Sequence, residues 1–467
     1  MKKILKNILS IIVLVVMVIA IYTIIHMDIL PNKYLFLFLG IDIILYLLGF
    51  FFYNRKNIFL IVLGVILFLL SVGLNGVVYY YFGKTSDYID LTFNIKTYDV
   101  TTKYVLLTGA NNEVSSLDRL DNNTSVLFYE YSRGVNLATK KLGNYNYLKT
   151  NDSYDSLVRT RNENLYFLIS NSDYSFIMDA SNELSSDQFK IIKEFEVVEK
   201  VPINQKNPDS YNIYINGLDY SGNRRDFNMI ATINTKTNKI VLTSIPRDYY
   251  IYVPDYDMND SLTALGTVDP EISKRALERL LNTKIDYVLN IYTESLVKVV
   301  DALGGVEFCS NSSFYTTHDM TLGSYEDNNR KLYVSKGCRQ YNGLEALAIA
   351  RERLHYSSGD RARQENCRKI LISILKKLAS TTTLTNYNEV LSSFDGLYTS
   401  NINKRVITNL VKSVLNNPNY DIIEQSLDGY DGKGIGRLGS GEVWAMRPNE
   451  NTVNSASVKI NDVLNSK

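Results

Sequence analysis

The side chains of this sequence that could do chemistry are arginines and aspartates at the ends of predicted elements. Arg247 and Asp248 stand directly behind Pro246, where the run KIVLTSI (239–245) reads as a strand, rich in β-branched residues and too short for a helix. Proline fixes one backbone angle and ends the ladder, so Arg247 is held on a stiff turn. Asp219 ends the run YNIYINGLD, and Asp226 lies at the start of RRDFNMIATIN. Ligands of α/β sheets sit beyond strand ends along one edge. A surface salt bridge contributes only ~0–1 kcal/mol, so stability accounts poorly for this arrangement.

A second group lies in RERLHYSSGDRARQENCRK, 351–369. Arg351 and Arg353 share a face only on extended backbone, so the helix predicted over 342–350 should end near Arg351. Gly359 and Asp360 precede another helix, with Asp360 as its N-cap. On that helix Arg363, Cys367, Ile370 and Ile374 follow i, i+4, i+7, i+11 and form one face, with Arg363 in the first turn. An inward-facing arginine at a helix N-terminus makes sense beside an anion, because backbone N–H groups and guanidinium forks both suit phosphate oxygens. Several arginines, a few aspartates and no histidine base describe a phosphate or diphosphate site. The aspartates would hold a hard divalent cation, Mg²⁺ or Mn²⁺. The competing reading is a solvated basic helix face.

Other chemistries have little support. The three histidines are His26 in an apolar span, His318 in a predicted polar loop and His355 just after a helix. There is no Gly-x-Ser-x-Gly elbow and no His-Glu-x-x-His. With 50 basic and 49 acidic side chains the formal net charge is +1, which gives no sign of a nucleic-acid partner.

These residues must be held by the elements around them. From 211 onward, strand-like runs alternate with helix-like ones (PEISKRALERLLN, TESLVKVVDALGG, YNGLEALAIARER), which implies an α/β layered fold with a central, largely buried sheet. Residues 84–200 read as a small α/β accessory domain without a catalytic motif, a spacer or partner-binding module, and 201–210 as a linker. Residues 1–83 form a membrane region with apolar runs at 7–27, about 34–53 and 57–82, the second interrupted by Asp42. Lys2, Lys3, Lys6, Arg55 and Lys56 place the N-terminus and the 54–57 turn in the cytoplasm, and everything after about 83 outside. Of the three cysteines, Cys309 and Cys338 are the preferred disulfide pair, with Cys367 free; three buried thiols are the alternative.

The assembled residues resemble the LytR-CpsA-Psr family of Gram-positive envelope proteins. The likeness rests on NGLDYSGNRRDFNMIATIN, SIPRD, IDYVLNIYTESLVKVVDALGGVEF, YNGLEALAIARER, GDRAR and WAMRPNENTVNSASVKI, and spans about 207–467. Three spans and an accessory domain are similar to the capsule-associated subgroup. The resemblance implies a mixed central sheet flanked by helices and a phosphotransferase activity. Such an enzyme moves a glycopolymer from undecaprenyl diphosphate in the cytoplasmic membrane onto peptidoglycan. By motif match, Asp219 and Asp226 lie near the metal and diphosphate, Arg247 and Asp248 form the SIPRD pair, Arg351, Arg353 and Arg363 bind diphosphate, and Asp360 is the acidic residue before the last helix. Cys367 stands where the family often has glutamine. Helices 271–281 and 292–303 are candidates to line an apolar groove for the prenyl tail, and Asp226 or Asp248 to accept the acceptor's proton. A lipid-diphosphate hydrolase and a non-catalytic lipid-phosphate sensor or scaffold are the rival readings.

Overall fold

The computed structural model describes residues 2–467 except 94–95, 114–115, 164, 205, 207, 219–223, 268–269, 323–329, 379–389, 391–392, 394–397 and 438–441. Asp219 therefore lies outside the described residues.

Three helices, Lys2–Met27, Asn32–Tyr53 and Ile58–Phe93, contain stretches long and apolar enough to cross a membrane. The third continues past the end of the apolar run at 82. Asp42 does not break the second. It is fully buried and accepts from Ser71 Oγ at 2.6 Å and Asn75 Nδ2 at 2.9 Å on the third helix. A carboxyl group within lipid needs such partners. The same two helices approach closely where Gly49 faces Gly64: a Cβ at Gly64 would lie 2.8 Å from Gly49 O and overlap Tyr53 N. Gly64→Leu should therefore lower the thermal midpoint of the detergent-solubilised chain by several degrees. Gly73→Leu, where a Cβ meets nothing within 4 Å, should leave it unchanged.

A first α/β unit follows. Its mixed five-stranded sheet runs Asn146–Thr150, Ser125–Tyr129, Tyr166–Ser170, Thr97–Gly109, Phe189–Pro202. Residues 203–209 connect the first sheet to the second. Thr97 pairs with Pro202, Ile203 is buried, and Asn403 Nδ2 donates to the carbonyls of Asn204 and Lys206 at 2.7 Å.

The second sheet has the order Tyr398–Ser400, Tyr287–Ile291, Ser210–Leu218, Arg225–Asn234, Lys239–Ile245, Asp421–Ser426. It is mixed: Tyr287–Ile291 runs parallel to Ser210–Leu218 and Asp421–Ser426 parallel to Lys239–Ile245, while the central pairs are antiparallel. Side chains alternate across it. Tyr214, Ile230 and Ile245 pack under helices Pro270–Leu281 and Glu450–Asn465. Ile213, Ile215, Met229 and Leu242 meet Ile372 of helix Asp360–Leu378 and Val406 of helix Lys404–Asn416 on the other face. The last of these helices also touches the membrane helices and the turn after the first, through Lys412–Asp28 and Lys404–Asp90 ion pairs at 2.6 Å and Lys33 Nζ on the Asn416 carbonyl.

A satellite lobe packs helices Thr293–Ala302 and Gly343–Arg351 on short strand pairs. There Cys309 and Cys338 form a disulfide across adjacent strands, and Cys367 is free. With the cysteines 29 positions apart, chain-entropy reasoning gives about 3–4 kcal/mol to this bond. Reduction or Cys309→Ser should lower the unfolding midpoint in urea correspondingly.

Candidate active site

The antiparallel register decides which charges meet. Asn228 pairs with Ile245, so the start of one strand, carrying Asp226, lies beside the end of the next, carrying Arg247. Helix Asp360–Leu378 covers this part of the sheet and brings its first turn to the same edge.

There the side chains form one network. Arg247 Nη1 donates to Asp226 Oδ1 at 2.7 Å, and its Nε lies 3.3 Å from Asp248 Oδ2 and 3.5 Å from Asp360 Oδ1. Arg363 is nearly buried. Its Nη2 donates to the Asp226 carbonyl at 2.8 Å and lies 2.8 Å from Asp360 Oδ1, with Nη1 3.6 Å from Asp226 Oδ2. Two guanidiniums thus bridge three carboxylates drawn from three segments. Burial alone would raise the pKa of Asp226, but Arg363 and Arg247 outweigh it and hold the carboxyl below its ordinary value. Asp248 goes the other way: burial raises it, Arg247 opposes, and the neighbouring Asp360 raises it further. Arg247, countered by three aspartates, is shifted upward despite burial.

Asp360 is not the N-cap of its helix. It is the first helical residue, preceded by Gly359 at φ 54°, whose carbonyl accepts from Arg363 N. Only glycine adopts that left-handed angle freely, so the turn tightens one residue earlier than expected. The Asp360 carboxylate is thereby left to take Gln364 Nε2 at 2.9 Å and to face the two arginines.

The other two arginines stand apart from this network. Helix Gly343–Arg351 ends at Arg351, and Glu352 is extended (φ −67°, ψ 126°). Arg351 turns its Nη1 to the Thr321 carbonyl at 2.9 Å and its Nη2 to that of Leu322 at 3.2 Å. Arg353 makes no ion pair or side-chain hydrogen bond with the described residues. Burial lowers the pKa of His318, the Glu352 carboxylate opposes it, and Arg351, Arg353 and Arg363 lower it further. His318 is not in a loop but buried on strand Phe314–Asp319. His355 is exposed and stacks on Phe314 at 4.3 Å. Cys367 Sγ meets the Ala350 carbonyl at 3.3 Å, and burial pushes its thiol up to about 11. Helices Pro270–Leu281 and Thr293–Ala302 pack their apolar faces into two different cores.

Two participants were not singled out from sequence. Glu352 is fully buried and accepts from Thr317 N, Thr317 Oγ1 and His355 N. Its only signal was its place between two arginines. Arg224 is held by Asp179 of the first unit at 2.7 Å and adds to the downward pull on Asp226.

The LytR_cpsA_psr family model matches residues 174–454. The chain belongs to this family. Among similar proteins is the polyisoprenyl-teichoic acid–peptidoglycan teichoic acid transferase TagU of Bacillus cereus, 30% identical over 247 residues, which are 52% of this chain and 73% of that protein. The Enterococcus faecalis protein of the same name is 27% identical over 212 residues, 43% of this chain. This member of the LytR_cpsA_psr family spans 65% of the Enterococcus protein's length. The crystal structure of Bacillus subtilis TagU aligns over 56% of this chain and 99% of its own, with 23% identity and a TM-score of 0.42.

Proposed function

We propose that this chain is a membrane-anchored phosphotransferase that moves a glycopolymer, capsular or teichoic-acid-like, from undecaprenyl diphosphate to peptidoglycan. The observation that carries the reading is the convergence of Arg247 and Arg363 on Asp226 and Asp360, a rigid array of fork-shaped cations at the edge of a sheet. The names of the similar Bacillus and Enterococcus proteins support the reaction class. The three apolar helices support attachment to the cell membrane, and the clusters at Lys2–Lys6 and Arg55–Lys56 support an extracellular position for the α/β units.

In this reading the acceptor's sugar hydroxyl attacks the polymer-bearing phosphorus. A new P–O bond forms, the bond to the bridging oxygen breaks, and polyprenyl monophosphate leaves with the charge. Arg247 and Arg363 are placed to neutralise that charge, and phosphoryl transfer asks the protein mainly for such positioning. Asp248 suits the hydroxyl proton better than Asp226, because burial raises its proton affinity while two arginines keep Asp226 ionised.

We also propose a Mg²⁺ or Mn²⁺ ion at this site, since carboxylate oxygens suit such hard cations. Three carboxylates against two guanidiniums leave one excess negative charge, although Asp360 Oδ1 already lies 2.8 Å from Arg363 Nη2 and the three carboxylates do not bring one oxygen each into a single ion-sized cluster. Asp226 would hold the ion, with Asp219 as a further candidate, and the ion would draw charge from the phosphate oxygens. The test is the full chain in proteoliposomes with a lipid-linked glycopolymer and peptidoglycan. Phosphodiester-linked polymer is expected, lost with EDTA and restored by Mg²⁺ or Mn²⁺. Free polymer and lipid phosphate without coupling would replace this reading with a hydrolase.

A further inference from the structure

The first α/β unit is bonded into the second by buried charge. Asp173, on helix Asn171–Ala180, is fully buried and pairs with Arg437 Nη2 at 2.8 Å, while the hydroxyls of Ser132 and Ser170 donate to its other oxygen. The Arg437 side chain, equally buried, donates Nη1 to Tyr129 Oη at 3.1 Å and Nη2 to the Ala264 carbonyl at 3.3 Å. Its backbone N–H reaches Asp260 Oδ2 at 3.3 Å, and its guanidinium lies 5.5 Å from the Tyr129 ring and 5.7 Å from that of Tyr256. Thr263, next to Ala264, donates its N–H to the Arg247 carbonyl at 2.8 Å. One guanidinium therefore connects the first unit to the segment that holds the Arg247 main chain. At the far end of the same helix, Asp179 holds Arg224 at 2.7 Å, with Phe176 under its guanidinium at 5.5 Å, two residues before Asp226.

Burying a charged pair costs several kcal/mol per ion before the pairing offsets it, and apolar contact alone would join two units more cheaply. A multiply bonded guanidinium adds a single register between them. We propose that helix Asn171–Ala180 is a positioning element of the anion site. Asp173 and Tyr129 act through Arg437 on the Arg247 turn, and Asp179 acts through Arg224 on the start of the Asp226 strand. This rests on the diphosphate reading of that site.

The test is the affinity of the full chain in detergent for geranylgeranyl diphosphate, measured by calorimetry beside thermal unfolding. Asp173→Asn should raise Kd at least tenfold and Tyr129→Phe at least threefold. Lys149→Ala, which removes a surface pair with Glu130 on the same unit, should change neither Kd nor midpoint. The paired replacement Asp173→Leu with Arg437→Met, made together with Asp260→Asn because Asp260 Oδ2 also lies 3.9 Å from Arg437 Nε, leaves no buried charge uncompensated and should stay folded, yet still bind at least tenfold more weakly. A purely structural role predicts that these folded variants bind like wild type, and that result for Tyr129→Phe and the paired replacement overturns the proposal. A wild-type chain that fails to bind the diphosphate at all overturns the diphosphate reading itself, and this inference with it.

Discussion

Arg247→Lys should lower kcat for polymer transfer by about 10²–10³-fold, the size expected when a preorganised charge-stabilising donor is lost. Lysine keeps the charge but loses the fork. Arg247 now spans Asp226 at 2.7 Å, Asp248 at 3.3 Å and Asp360 at 3.5 Å from two different nitrogens. A single ammonium cannot hold three carboxylates from three segments and still present N–H groups to a leaving phosphate. The loss should fall on kcat because the charge on the departing lipid phosphate develops only during reaction. Steady-state kinetics on the purified full chain, with donor varied at saturating acceptor, measures this. A lysine variant within threefold of wild type would remove Arg247 from the reaction and the phosphotransfer reading with it.

How much of this site was visible beforehand depends on how local its causes are. Pro246, the β-branched run before it and the stretch beginning at Arg225 are local signals. They fix two strands whose antiparallel pairing sets Asp226 beside Arg247. The face Arg363, Cys367, Ile370, Ile374 is local too, and its lower members do pack in the core. The position of Asp360 was misjudged by one residue because the left-handed turn at Gly359 is a backbone choice that composition does not reveal. The polar run TTHD reads as a loop, yet its strand pairs with Lys331–Val334 and His318 is buried by tertiary packing. Arg437 gave no signal at all. Its partner Asp173 lies 264 positions away, and no short-range pattern links a glycine-rich hairpin to a helix in another unit. That contact fastens Asp173 and Tyr129 of the first unit to the second.

Glu352→Leu should cost about 3–6 kcal/mol in stability and raise the KM for donor at least tenfold, with a much smaller change in kcat. Glu352 is fully buried, and its carboxylate takes Thr317 N at 2.6 Å and His355 N at 2.9 Å. Leucine would remove the acceptor from both part-buried backbone N–H groups, at up to about 1–3 kcal/mol each, and would remove charge-assisted bonds as well. The kinetic consequence follows from geometry. Glu352 lies between Arg351, whose Nη1 and Nη2 are held by the Thr321 and Leu322 carbonyls, and Arg353, so its anchor fixes the backbone from which both arginines project. Both sit outside the Arg247–Arg363 network and are suited to gripping donor phosphate before and during reaction alike, which is binding that appears in KM. Glu352→Gln, able to accept but uncharged, should fall between leucine and wild type in both stability and KM. Thermal unfolding paired with donor titration separates the outcomes: a destabilised Glu352→Leu chain with an unchanged KM would show that the two arginines do not depend on this anchor.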